Sequence, residues 1–304
     1  KTDQGGSIMM LMVSEEWKQA FPGAGVGLMT LSGVANPDCC AVLEHKKRVL
    51  EEEIRARFPN RRAVADYEPV QAYNSYYKRF GQTYHVQHQL ESVGFKGKSL
   101  PAVAALVEAM FMAELKNGLL TAGHDWHSLQ LPLRLRVADG REEYGLINGR
   151  QQTAKLGDML IADADGVISS IVYGPDYRTR ITAETRQVLF VVYAPAGIAQ
   201  SAVNQHFDDI FSFVRLVAPT AKIERQDFYE NCLGVLCKGN TYLWTSCLTK
   251  AARWQKDKWK RRVYGRRGEG NDCRHDHHPN VCTLGVLVEG KTHGGEKHRR
   301  EGPK

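Results

Sequence analysis

The sequence predicts an α+β fold, a mixed and mainly antiparallel sheet flanked by helices, followed by a C-terminal tail of different character. Three observations lead there. Apolar residues recur at helical spacing in the first 120 residues. Short alternating segments broken by glycine turns take over from about residue 131. Charge and cysteine are distributed unevenly along the 304 residues.

The elements follow in order. Residues 11–36 read as a short strand-like entry, a glycine-rich turn from Phe21 to Gly27, and an apolar strand from Val26 to Val34. Gly25-Val26-Gly27 lacks the third glycine and the following helix of a dinucleotide-binding loop. Asn36-Pro37-Asp38 reads as a helix start. The helix it opens carries Leu43, Val49, Leu50 and Ile54 on one side, runs to about Arg57, and stops at Phe58-Pro59-Asn60. Its charges stand three and four residues apart, as on a solvated face. A second helix, Glu68 to Phe80, crowds Tyr73, Tyr76, Tyr77 and Phe80 together, either as core packing or as a platform for a base or an aromatic amino acid. Ser99-Leu100-Pro101 opens a third, Ala102 to Lys116, with Val103, Leu106, Val107, Met110 and Phe111 at a 3.6-residue period and Asn117-Gly118 closing it. His85 and His88 flank an expected strand and read as surface residues.

Leu133, Leu135 and Val137 alternate with Arg134 and Arg136, as in a half-buried strand that ends at Asp139-Gly140. Tyr144 to Ile147, Met159 to Ala162, Val167 to Tyr173 and Val188 to Tyr193 are further strands, and Ala199 to Leu216 is a last helix. The folded body is expected to span residues 1–223, with 24 basic and 24 acidic residues, and the tail 224–304 to hold 17 basic and 10 acidic ones. The net charge of +7 therefore belongs to the tail. Trp254, Trp259 and Tyr264 are threaded through lysines and arginines there, a pattern suited to RNA. The run Cys273 to His278 with Cys282 has zinc-type ligands at the spacing of no standard finger. Glycine content and weak periodicity give disorder as the expectation for this tail. Few body cysteines and no apolar run near the roughly 20 residues needed to cross a bilayer give a cytoplasmic expectation.

The order of pieces from about Tyr76 to Pro195 resembles the B3/B4 domain of the phenylalanyl-tRNA synthetase β subunit, in a free-standing form. The resemblance is carried by Ser99-Leu100-Pro101, Gly123-His124-Asp125, the strand Leu133 to Ala138 with Glu142-Glu143, Gly157-Asp158 through Asp165-Gly166-Val167, and Ile181 to Leu189. In that family the domain is an editing module that binds the 3′ end of tRNA carrying a wrongly attached tyrosine and hydrolyses the ester. The resemblance implies a trans-acting hydrolase of mischarged aminoacyl-tRNA, or recognition of an aminoacylated tRNA 3′ end. A non-catalytic RNA- or amino-acid-binding module and a small-molecule enzyme with a drifted pocket are the alternatives. Aminoacylation is not expected, because the motifs of a class II ligase are missing from the sequence.

The chain departs from the family at its site. Tyr177 stands opposite the family's hydroxyl-reading glutamate, with Asp176 one position away, and Ala122 stands opposite its histidine, with His124 two residues on. The loop Asp176 to Thr182 gathers an acid, a phenol, guanidiniums and hydroxyls between expected strands. His124, Asp125 and Asp176 are thus the catalytic candidates, His124 as base or water-positioner and Asp176 also as receptor for an α-ammonium. Asp125 equally suits a turn cap. Arg178 and Arg180 are expected to hold a phosphate or the substrate carbonyl. Tyr173, Tyr177, Thr179, Thr182, Arg136 and Glu143 complete the expected substrate-binding set. No cofactor or metal is expected, and tRNA is the expected partner.

Overall fold

The computed structural model describes residues 10–231. The aromatic and basic run after Trp254 and the Cys/His run after Cys273 lie outside them.

The helices come first. After β1 (Leu11–Val13), α1 (Glu15–Ala20) and β2 (Gly25–Ser32) come α2 (Ala41–Arg57), α3 (Arg61–Ala65), α4 (Glu68–Tyr77), α5 (His85–Gly94) and α6 (Ala105–Asn117). A run of short strands follows: β3 (Thr121–Asp125), β4 (Leu133–Val137), β5 (Glu143–Gly145), β6 (Gln151–Thr153), β7 (Met159–Ala162), β8 (Val167–Ser170), β9 (Gly174–Pro175) and β10 (Gln187–Ala194). Helix α7 (Gln200–Val217) and β11 (Lys222–Glu230) close the described chain.

The strands form a five-stranded sheet ordered β1-β4-β7-β8-β9, a four-stranded sheet ordered β11-β2-β10-β3, and the β5-β6 hairpin. Among the described residues only the β1–β4 pairing is parallel, so the architecture is mixed and mainly antiparallel. The expected mixed, mainly antiparallel arrangement is thus divided into two sheets and a hairpin.

The central strands of the four-stranded sheet read as continuous apolar runs because both of their faces are covered. β2 and β10 are buried along almost their whole length. The glycines of β2 serve packing. A Cβ on Gly27 would stand 2.6 Å from a Val203 methyl and 2.8 Å from the Phe207 ring, so glycine is what allows α7 to lie against the sheet.

Several expectations change on folding. The body does not stop near 223. β11 pairs with β2 from Lys222↔Ser32 to Glu230↔Gly25, and the buried Asn231 side chain donates to the carbonyls of Lys18 and Phe21. This strand was hidden because it is an edge with charged, largely exposed residues and no apolar alternation. Asn36 does not start α2, which begins at Ala41. Its side chain accepts from Leu106 N–H at 2.9 Å and donates to the Thr182 carbonyl at 3.1 Å, joining α6 to the segment after β9. His85 and His88 lie on a helix rather than beside a strand.

The tyrosines of α4 are structural. Tyr73, Tyr76 and Tyr77 are buried, and Tyr73 stacks on Tyr84 with ring centroids 4.3 Å apart. Their hydroxyls donate to the Tyr193 carbonyl, to Asp158 and to the Ile171 carbonyl. Full burial with satisfied hydroxyls excludes the stacking-platform reading.

Candidate functional site

A cavity of ≈ 570 Å³ opens where α5, α6, β3 and the β8–β9 turn converge. Val107, Met110, Phe111 and Glu114 of α6 line one wall, at helical spacing on one face. Leu120 to Gly123 form a second wall, and Ser170, Val172, Tyr173, Gly174 and Pro175 a third. Ile181, Tyr193, His85 and Gln89 complete it, with Arg180 and the exposed Ile147 at the tip of the β5–β6 hairpin. Gly123 lets the Ile181 side chain lie close against this wall, since a Cβ there would stand 2.7 Å from its terminal methyl. The lining is largely apolar, with a few polar groups, as small-molecule sites generally are.

Glu114 is the carboxyl of this lining and is 2 % exposed. It accepts the Thr121 N–H at 2.7 Å, which ties the end of α6 to the start of β3. Burial pushes its pKa up to about 8, with the Thr121 hydrogen bond opposing the shift. His85 reaches solvent at the cavity, but the protein enclosing its other sides lowers its pKa to about 4, so its imidazole is neutral at physiological pH. Its Nδ1 lies 3.4 Å from the Tyr77 hydroxyl. Thr121 Oγ1 stands 2.6 Å from Nε2 of the buried His206, whose pKa burial lowers to about 3.

Of the expected site residues, Tyr173 and Arg180 line this cavity. Arg180 donates to the Tyr177 carbonyl at 2.8 Å and lies 3.7 Å over the Tyr177 ring, which is 47 % exposed. The remainder of the polar loop is closed on itself. Asp176 is 3 % exposed and accepts from both the N–H and the hydroxyl of Thr179. That hydroxyl in turn lies 2.7 Å from His124 Nδ1. Because Thr179 gives its proton to Asp176, Nδ1 of His124 carries the hydrogen and Nε2 presents a lone pair, which has no partner. His124 is fully buried, burial lowers its pKa to about 3, and it is not part of the cavity lining.

The geometry therefore corrects the catalytic assignments. His124 lacks access to a reacting ester, and the buried Asp176 carboxylate lies outside the cavity lining, with one oxygen on Thr179 and the other 3.7 Å from Arg178. Asp125 is the turn cap: it accepts the His127 N–H at 2.8 Å and the Thr185 hydroxyl at 2.6 Å. Arg178 spans from the Ser128 carbonyl to Asp163, at 2.9 and 2.8 Å, and pins the loop rather than a substrate. Thr182 closes a turn with Glu184 and Thr185. Arg136 pairs with Glu142 at 2.6 Å in the β4–β5 turn, and Glu143 is exposed on β5, so neither reaches the cavity. The residues that sequence reasoning missed are Glu114, His85 and Ser170. Glu114 left a signal, a lone acid seven residues after Val107 on an otherwise apolar helix face.

Among the described residues no group of three or more His, Cys, Asp or Glu is placed to hold a metal ion, and no helix is long and apolar enough to cross a membrane.

Comparison with known proteins bears on the same region. The B3/4 domain family matches residues 72–220, a longer stretch than the expected 76–195. A phenylalanine–tRNA ligase β subunit from Tropheryma whipplei (strain Twist) is 28 % identical over 88 residues, which are 29 % of this chain and 9 % of that protein. The crystal structure of an N-terminal fragment of the phenylalanyl-tRNA synthetase β subunit from Pyrococcus horikoshii aligns at a TM-score of 0.42 and 11 % identity, over 73 % of this chain and 54 % of that one. The chain thus spans a small part of the curated relative. Residues 72–220 resemble the B3/4 domain, and part of the chain is similar to a phenylalanine–tRNA ligase β subunit.

Proposed function

We propose that the cavity receives the aminoacyl end of a mischarged tRNA, and that the protein acts in trans on that ester in the cytoplasm. The observation that carries the reading is the cavity itself. A volume of ≈ 570 Å³ with apolar walls suits a large amino-acid side chain, and Glu114, Arg180, Ser170 and His85 supply polar groups for the polar end. The B3/4 domain supports a tRNA-linked substrate.

Hydrolysis of an aminoacyl ester starts from an activated bond, so positioning a water contributes much of what is needed. Within the lining His85, neutral at physiological pH, can accept a hydrogen bond from that water and position it. Recognition without turnover is the second reading, and it is favoured by the burial of His124, Asp125 and Asp176 away from the cavity. The test is to incubate the protein with a panel of mischarged tRNAs and follow release of the amino acid. Release that falls by about tenfold or more in His85→Asn supports hydrolysis. Retention of the charged tRNA without release supports the second reading. Failure to bind any charged tRNA ends both.

A further inference from the structure

Glu114 is a buried acid without a cation. Among the described residues neither lysine, arginine nor protonated histidine is paired with it, and its carboxyl takes one hydrogen bond, from the Thr121 backbone. Two other buried acids have cations, while Asp158, which also lacks one, accepts the Tyr76 hydroxyl and the Met159 and Val172 N–H groups. Glu108, equally buried, is paired with Lys47 at 3.0 Å, and Asp163 is paired with Arg178 at 2.8 Å. A carboxyl left in an apolar cavity without a counter-ion costs stability unless something brought to the cavity compensates it.

An amino acid joined through its carboxyl keeps its α-amino group, which below a pH of about 7 is an ammonium cation. Burying that ammonium requires an anion, and the other charged groups of the lining cannot supply one: Arg180 is a cation and His85 is neutral. Asp176, the acid that the sequence suggests for this role, is buried outside the cavity lining between Thr179 and Arg178. The unpaired acid of the cavity and the unpaired cation of the ligand are complementary.

We propose that Glu114 is the receptor for the α-ammonium of the bound aminoacyl group, so that the cavity selects free-amino esters over N-blocked or deaminated ones. This rests on the reading of the cavity as an aminoacyl site. Capture of the ammonium forms a carboxylate–ammonium pair, and the proton that Glu114 holds at neutral pH leaves to solvent. The groups facing Glu114 do not take it up. Tyr73 and Tyr77 of α4 and Tyr84 before α5 are phenols that burial pushes upward, so they are already protonated, and His85 of α5 stays neutral above about pH 4. Arg180 beyond them is a fixed cation.

The test is calorimetric titration with L-phenylalanine methyl ester and with methyl 3-phenylpropanoate, which lacks the amine, at about pH 6, where the ester's amine and Glu114 are both protonated before binding, in buffers of differing ionisation enthalpy. Wild-type protein is expected to bind the amino ester about ten- to a hundredfold more tightly, a charge-assisted pair contributing that much, and to release close to one proton per ligand. Glu114→Gln keeps an oxygen for the Thr121 N–H, and its melting curve checks that the fold is retained. In this variant the preference and the proton release should both vanish, while affinity for the deaminated ester stays put. Equal binding of the two esters by wild type, or an undiminished preference in Glu114→Gln, overturns the ammonium role and leaves the aminoacyl cavity standing. If wild type binds neither ester, the cavity reading falls and takes this inference with it. The comparison of the two esters in wild type alone needs no variant to fold.

Discussion

The segment Asp176 to Arg186 and the α6 face from Val107 to Glu114 were opposites in sequence, and they are opposites in structure. The segment is dense in charge and hydroxyls, and it spends them on itself. Asp176, Thr179 and His124 form one chain of hydrogen bonds, Thr182 and Thr185 another, and Arg178 ties the loop to Ser128 and Asp163. The helix face is nearly all apolar and shapes the cavity, with one acid left over. A polar cluster in a short stretch can satisfy its own members. A lone acid on an apolar stripe cannot, and so it marks a place where something else must meet it.

Substitution and pH should separate the two regions, with effects of decreasing size. The largest concerns pH. Glu114 has a folded-state value of about 8 against an ordinary 4.5, so between these values the folded state holds a proton that the unfolded chain has lost. Its contribution to stability therefore falls as pH rises from about 4.5 to 8, by up to about 1.4 kcal/mol per pH unit. Asp158, raised from 3.8 to about 6 by burial, acts in the same direction between those values. Urea unfolding of wild type and Glu114→Gln across pH 5–9 should show the variant losing less stability between pH 6 and 8. Parallel curves would mean that Glu114 is not the uncompensated acid of the fold.

Next in size is Asp176→Ala. Loss of a buried acceptor bonded to Thr179 twice over leaves those donors unsatisfied, for an expected cost of about 2–4 kcal/mol in the same assay. A stable Asp176→Ala protein with lost ester binding would restore Asp176 to the site. Arg180→Ala sharpens the contrast from the other side. Its guanidinium lies over an exposed ring at the cavity, so stability should move by less than about 0.5–1 kcal/mol, while affinity for an aminoacyl ester falls a few-fold by titration. The smallest effect belongs to Glu143→Ala. Being exposed on the hairpin, it should change stability by within about 0.5 kcal/mol and leave ester binding as it was.

Element type was readable wherever burial imposed a period. The α2 helix to Arg57, the α6 helix closing at Gly118 with φ 67°, and the alternating β4 strand follow from spacing that any fold of this sequence would have to respect. β11 was not readable, because an exposed edge strand hydrogen-bonds through its backbone and leaves no apolar pattern in its side chains. Asn36 misled because a capping residue and a residue bridging two distant segments look the same in sequence.

The amino-acid sequence by itself determined the class of fold, the B3/4 resemblance and the stretch of chain that carries it, since these rest on local periodicity and on the order of elements. Tertiary structure alone decided which polar groups face the cavity. Whether an aspartate meets a ligand or a threonine three residues away depends on backbone direction at one turn, and α6, β3 and the β8–β9 turn come from distant parts of the chain. Glu114 became a site, and Asp176 a turn, only when those elements closed around the same space.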